Sequence, residues 1–154
     1  MTTIAYKDGI IAYDSRATRS NTIISDKANK KEIINGVVFI YCGATCDFEN
    51  FVKCYFNKEI PSSPIEVSAY VLDKNYSRLY CVGIEQEDKY IFKIPMPFDI
   101  PDAMGSGEAY ALTAMDMGCS AKEAVKWAMK RDFNTGGKIN TLNVYKFFGI
   151  KKEN

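Results

Sequence analysis

Histidine is absent from the chain. Ser-His-Asp and Cys-His hydrolysis both use an imidazole to take and return a proton near neutral pH, so neither is open to this chain alone. A hydrolase built on it needs another base. A free α-amino group qualifies, because its ordinary pKa of about 7.7–8.0 leaves a useful neutral fraction at working pH. The five cysteines (Cys42, Cys46, Cys54, Cys81, Cys119) are scattered and odd in number. With no imidazole and no second close pair they make a weak zinc site, and free thiols in a reducing cytoplasm are the simpler reading. Cys42 and Cys46 lie in apolar sequence, where buried thiols are common. Net charge is only +1 and no long basic run occurs, so nucleic acid is not an indicated partner. Apolar runs fall short of membrane-spanning length, and the N-terminus lacks the basic and apolar regions of a signal peptide.

What is present is ordinary for a soluble globular chain: 154 residues, 47% hydrophobic and 25% charged. That length suits one domain over residues 1–154 with a single sizeable core, ending in an exposed tail at 150–154. Thr3–Tyr6 and Ile10–Tyr13 read as strands joined at Asp8-Gly9, a strong hairpin signal. Asp14–Thr18 reads as a polar loop. Thr22–Ser25 and Lys31–Ile34 read as a second strand pair. Asn35-Gly36 then turns the chain into Val37–Cys42, apolar enough to be buried on both faces.

Phe48, Phe51, Val52 and Tyr55 recur at helical spacing, with Asp47 and Glu49 at the end where the dipole favours anions. Val67–Leu72 and Leu79–Ile84 form a hairpin around Asp73-Lys74-Asn75, and Tyr90–Ile94 a further strand. Three prolines from Pro95 to Pro101 predict irregular structure. Gly105-Ser106-Gly107 opens a helix through Met117. Ser120–Glu123 is a capping box for another that runs to about Lys130. Arg131–Gly137 reads as a loop and Leu142–Phe148 as a closing strand. Trp127, near Val125 and Met129, reads as a packing residue.

Met1-Thr2-Thr3 carries the first chemical hint. Methionine is normally trimmed before a small residue, which exposes a threonine whose hydroxyl attacks while its own amine accepts the proton. Taken alone the pattern is common. Further blocks accompany it: Gly9–Thr18, Ile40-Tyr41-Cys42-Gly43-Ala44-Thr45 with Asp47 beyond, Met104–Gly107 and Arg131–Gly137. In this order they resemble the proteasome β subunit and its HslV-like relatives, members of the N-terminal nucleophile (Ntn) hydrolase family.

That resemblance implies an α+β fold, the αββα four-layer sandwich of two antiparallel sheets flanked by helices. The stretch from Asp47 to Val67 has room for one helix where relatives pack two, so one helical layer is expected to be shortened. Residue by residue, Thr2 falls on the family's nucleophile and Asp14 on the carboxylate that holds the catalytic lysine. Lys27, Lys30 and Lys31 all lie in the stretch where the lysine is expected; counting back from the Asn35-Gly36 turn favours Lys30, with Lys31 next, and a slip of one residue reverses the strand face. Gly43 matches the oxyanion-hole donor. Ser106 and Asp132 match a pair that supports the threonine amine, and Thr135 a further hydroxyl in the same loop.

Each has a plainer reading. Asp14 can cap a strand end, Gly43 can simply end a buried strand, and Gly105–Gly107 can open an ordinary helix; a phosphate-binding loop lacks its lysine here. The family mechanism needs no metal or organic cofactor. The resemblance further implies homo-oligomeric rings, often stacked in pairs, that cleave peptide or unfolded protein substrates, with room for a separate unfoldase ATPase. Two rivals keep the fold: a catalytically silent ring-forming structural or assembly protein, and a small-molecule amidase.

Overall fold

The computed structural model describes residues 1–152 of the chain. Strands β1 (Thr3–Lys7) and β2 (Ile10–Tyr13) form the anticipated hairpin. Asp8 and Gly9 both take positive φ (51° and 80°), as a type I′ turn requires. The pair lies at the centre of an antiparallel sheet, flanked by β10 (Asp102–Gly105) beside β1 and β11 (Asn140–Asn143) beside β2. A second antiparallel sheet has the order β5 (Lys31–Ile34), β6 (Val37–Gly43), β7 (Val67–Asp73), β8 (Arg78–Ile84), β9 (Ile91–Pro95). Its first turn, Asn35-Gly36, repeats the positive-φ pattern (50° and 76°).

Strand alternation sorts these residues into layers. Ile4, Tyr6, Ile11 and Tyr13 meet Val38, Ile40, Tyr70 and Leu72 in the core between the two sheets. The opposite face of the first sheet carries Ala103, Ala5 and Ala12 side by side in register. Against this row of small side chains pack α2 (Glu108–Asp116) and α3 (Ala121–Met129) through Ala111, Met115, Ala124 and Val125. The outer face of the second sheet holds Phe39, Val71 and Val82, covered by α1 (Phe48–Asn57) through Phe51 and Val52. The result is helix–sheet–sheet–helix, with two helices on one side and one on the other.

Several expectations are corrected. Thr22–Ser25 (β4) pairs not with β5 but with β3 (Ala17–Arg19), of which Ala17 and Thr18 were expected to be loop. The turn at Ser20, with φ of 52°, closes this hairpin locally, and β5 is left to pair with β6. Strand β10 was not anticipated; it sits directly before the Gly105–Gly107 turn. Leu142–Phe148 is not one strand. Asn143 accepts from Lys146 N–H and caps a short helix α4 (Val144–Phe148), which Gly149 ends at a φ of 67°. These two caps outweigh the β-propensity of Tyr145, Phe147 and Phe148.

Pro95, placed in irregular chain, is the last residue of edge strand β9, where its missing N–H leaves no ladder bond unmade toward a further strand. Cys46 is exposed rather than enclosed by apolar groups. Trp127 is half exposed: two residues past buried Val125 on α3, it falls on the solvent side of the helix. Of the expected tail, Lys151 and Lys152 are exposed, and Glu153 and Asn154 lie outside the described residues.

Ala12→Leu is expected to force α3 off the first sheet and to lower the unfolding free energy by about 1–3 kcal/mol in a urea titration. Unchanged stability would mean that the alanine row does not set the sheet–helix spacing.

Candidate active site

Asp14 follows β2 directly and is fully buried. One carboxylate oxygen, Oδ1, accepts from Thr3 N–H (3.2 Å) and from the Lys30 ammonium (2.7 Å). The other accepts from the backbone N–H of Arg16 (3.2 Å) and Gly136 (2.9 Å). Four donors thus hold one buried anion, which is how a protein tolerates such a charge. Lys30 is 6% exposed and comes from the opposite sheet, immediately before β5. Its carbonyl is fixed by Tyr41 N–H (3.1 Å), and its side chain crosses to the first sheet. Neighbouring Lys31 lies within β5 opposite Ile40, and Lys27 is exposed; of the three lysines considered, Lys30 is the one at Asp14.

Burial pushes the Lys30 pKa down, against the pull of Asp14 that favours the charged form. The N-terminal amine of Met1 is likewise held below 8.0, by burial first and then by the Lys30 charge. Lys30 Nζ also lies 3.5 Å from the Met1 carbonyl oxygen, so the ammonium sits at the Met1–Thr2 peptide. Burial raises the nearby Cys42 thiol to about 11, which leaves it an inert neutral wall beside Lys30.

Thr2 is 3% exposed, yet it helps line a cleft of about 920 Å³ together with Met1, Lys30, Gly43, Arg19 and Glu66. Its carbonyl fits against Gly105, where any Cβ would collide with it. Gly43 closes β6 at a φ of 110°, pressed against the Glu66 carbonyl so closely that a side chain has no room. Tyr41 N–H points toward β5, and donors alternate along a strand, so Gly43 N–H points the same way, past the start of β5 and toward the cleft.

A second polar cluster backs this wall. Ser106 and Thr135 both donate to Asp132 Oδ2 (2.5 and 2.6 Å), and Ser106 Oγ lies 3.5 Å from the Thr2 carbonyl. The seven residues singled out in the sequence therefore fall in one region: Thr2, Lys30 and Gly43 at the cleft, with Asp14, Ser106, Asp132 and Thr135 behind. Others joined to them were not singled out. Thr3 bonds Thr135 through its hydroxyl (2.6 Å), and Gly136 supplies a donor to Asp14. Arg16 makes a bidentate pair with Asp26 (2.7 and 3.1 Å) and donates to the Phe133 carbonyl (3.1 Å), pinning the loop that carries Asp132. The tandem Gly136-Gly137 was the available hint: a Cβ on Gly136 would strike the Arg16 guanidinium. No group of three or more His, Cys, Asp or Glu able to hold a metal occurs among the described residues.

No protein-family model and no curated protein sequence matches the chain. Solved structures do. HslV from Trypanosoma brucei superposes with a TM-score of 0.66 at 18% identity, over 92% of this chain and 97% of that one. BPH from Thiobacillus denitrificans superposes with TM-scores of 0.60 in complex with epoxomicin and 0.59 without it, at 17% and 16% identity. These cover 92% of this chain and 96% and 95% of theirs. The chain has the HslV-like Ntn hydrolase fold. In this Ntn fold the chain's first strand runs between β10 and β2, which brings its N-terminus to the end of the sandwich where Lys30 crosses from the other sheet.

Lys30→Met removes a positive neighbour from the N-terminal amine and is expected to raise its pKa toward 8.0. The pH dependence of N-terminal acylation reads this directly; an unmoved midpoint would show that the ammonium does not act on the amine.

Proposed function

We propose that the chain is a threonine-type peptidase that uses Thr2 as its nucleophile once Met1 has been removed. The observation that carries this reading is the buried Lys30–Asp14 pair set against the Met1–Thr2 segment at the floor of an open cleft. In a chain without histidine, the liberated Thr2 amine is the base at hand.

The Thr2 hydroxyl attacks a peptide carbonyl and passes its proton to its own amine. Lys30, kept charged by Asp14, lowers the cost of the developing alkoxide. Gly43 N–H receives the oxyanion, and its fixed position means that no reorganisation is needed as charge forms. The protonated amine then returns its proton to the leaving amine. Water, activated by the same amine, releases the acyl group. Ser106, Asp132 and Thr135 hold the amine and the water in place.

Ala17–Ser20 on one side of the cleft and Gly43–Thr45 on the other offer backbone to an extended peptide, which lies between them as an added strand. The outer surface supports assembly into a homo-oligomeric ring: Ile23, Ile24, Ile33, Tyr110, Met117 and Trp127 are all exposed. All five cysteines are free, which suits a cytoplasmic protein. A ring that encloses its sites admits unfolded chains, which a separate unfoldase ATPase supplies.

Thr2→Ala in the Met1-free protein is expected to lower peptide hydrolysis by about a thousandfold or more. An epoxyketone of the epoxomicin type is expected to label Thr2 in the processed protein and to leave the Met1-bearing form unlabelled, as read by intact mass. Undiminished hydrolysis in Thr2→Ala removes Thr2 from the chemistry. Absence of labelling and hydrolysis despite a free Thr2 amine favours a silent ring protein. Turnover of short acyl amides without degradation of casein favours a small-molecule amidase.

A further inference from the structure

The two carboxylates of the site are joined through Thr3 and Thr135. Thr3 is fully buried. Its N–H donates to Asp14 Oδ1 (3.2 Å) and its carbonyl accepts from Asp14 N–H (3.4 Å). Its hydroxyl reaches the other cluster, 2.6 Å from the Thr135 hydroxyl.

Proton counting gives this chain a direction. Asp132 Oδ2 accepts from both Ser106 and Thr135, and an ionised carboxylate has no proton to return. Each hydroxyl has one proton, and in both it is committed to Asp132. The Thr135 oxygen therefore meets Thr3 with lone pairs only, and Thr3 is the donor. By the same count the Ser106 proton is committed to Asp132, so its 3.5 Å approach to the Thr2 carbonyl oxygen is a contact without a shared proton, and its lone pairs are free to accept. The fold leaves space for this arrangement. A Cβ on Gly107 would collide with Thr3 Oγ1 and press on Ala128 Cβ (3.0 Å) and Thr135 Oγ1 (3.2 Å). Thr3 does not line the cleft, whereas Thr2 does, so Thr3 is not a second nucleophile.

We propose that Thr3 is a positioning residue for the Thr2 amine, an inference that rests on the peptidase reading above. With Met1 gone, Ser106 accepts an N–H from the Thr2 amine, which turns the amine lone pair toward the hydroxyl of the same residue. Thr3 fixes the far end of the hydroxyl chain and, through its backbone, locks that chain to Asp14. The Asp14–Lys30 pair and the Ser106–Asp132 pair then move as one unit.

The test uses the full Met1-free chain with a ¹⁵N-labelled Thr2 amine, titrated by NMR, alongside hydrolysis of a fluorogenic peptide. Thr3→Val is expected to lower kcat roughly tenfold with KM within about twofold, and to move the midpoint of the amine titration. Thr3→Ser is expected to restore both, because the hydroxyl is returned. Thr135→Val should reproduce the Thr3→Val effect, and the double variant should be no worse than either. It also carries the comparison if Thr3→Val fails to fold. Unchanged kcat and titration in Thr3→Val overturn the inference, as does a Thr3→Ser variant as impaired as Thr3→Val. Should the parent show no hydrolysis while the titration still shifts in Thr3→Val and returns in Thr3→Ser, the positioning role stands and the peptidase reading falls.

Discussion

Asp14 and Lys30 lie 2.7 Å apart with almost none of either side chain in contact with water. Removing two such charges from solvent costs several kcal/mol for each, and mutual attraction offsets that only where the remaining hydrogen-bonding capacity is satisfied. Here the carboxylate meets that condition: three backbone N–H groups join the ammonium around it. Those donors come from β1, from the segment after β2 and from the loop after α3. The carboxylate therefore acts as a clamp on chain segments that are distant in sequence, and the N-terminus is held because Thr3 is one of them.

The layered fold exists in a form that makes this clamp reachable. Lys30 leaves the second sheet and Asp14 the first, so the pair forms only if the sheets face each other at the spacing set by Ile4, Tyr6, Ile40 and Tyr70. On the far side, the alanine row draws α2 and α3 close to the first sheet. That closeness brings the Gly105–Gly107 turn under Thr2 and Thr3, where two glycines leave room for a carbonyl and a hydroxyl. A change in core packing thus has a direct route to the chemistry, because the site straddles the interface between layers rather than sitting on one rigid element.

Much of the architecture was legible in the sequence where the deciding physics is local. Asp8-Gly9 and Asn35-Gly36 specify their turns through positive φ, and the Ser120–Glu123 capping box starts α3 as read. The misreadings arose where two local choices competed: β4 had two candidate partners, and Leu142–Phe148 carried strand propensity inside helix caps. For the site, the ordered blocks picked out residues that lie together in space. Counting back from Asn35-Gly36 favoured Lys30 over Lys27 and Lys31, and the pairing of β5 with β6 leaves Lys30 just before the strand, at Asp14. Thr3, Arg16 and Gly136 were not singled out, and only the tandem Gly136-Gly137 hinted at close packing there. Thr3 and Thr135 stand 132 positions apart, and Gly136 and Asp14 stand 122 apart, so nothing in the local sequence announces either bond.

A double-mutant cycle on Asp14→Asn and Lys30→Met, read as unfolding free energy in urea, bears most directly on the clamp. If the pair organises the site, each single change leaves the other charge buried and unpaired and costs about 3–5 kcal/mol. The double variant should then lose far less than the sum, with a coupling energy of at least about 1.5 kcal/mol. Losses that add to within about 0.5 kcal/mol would show two charges that share a place without depending on each other, and would contradict it.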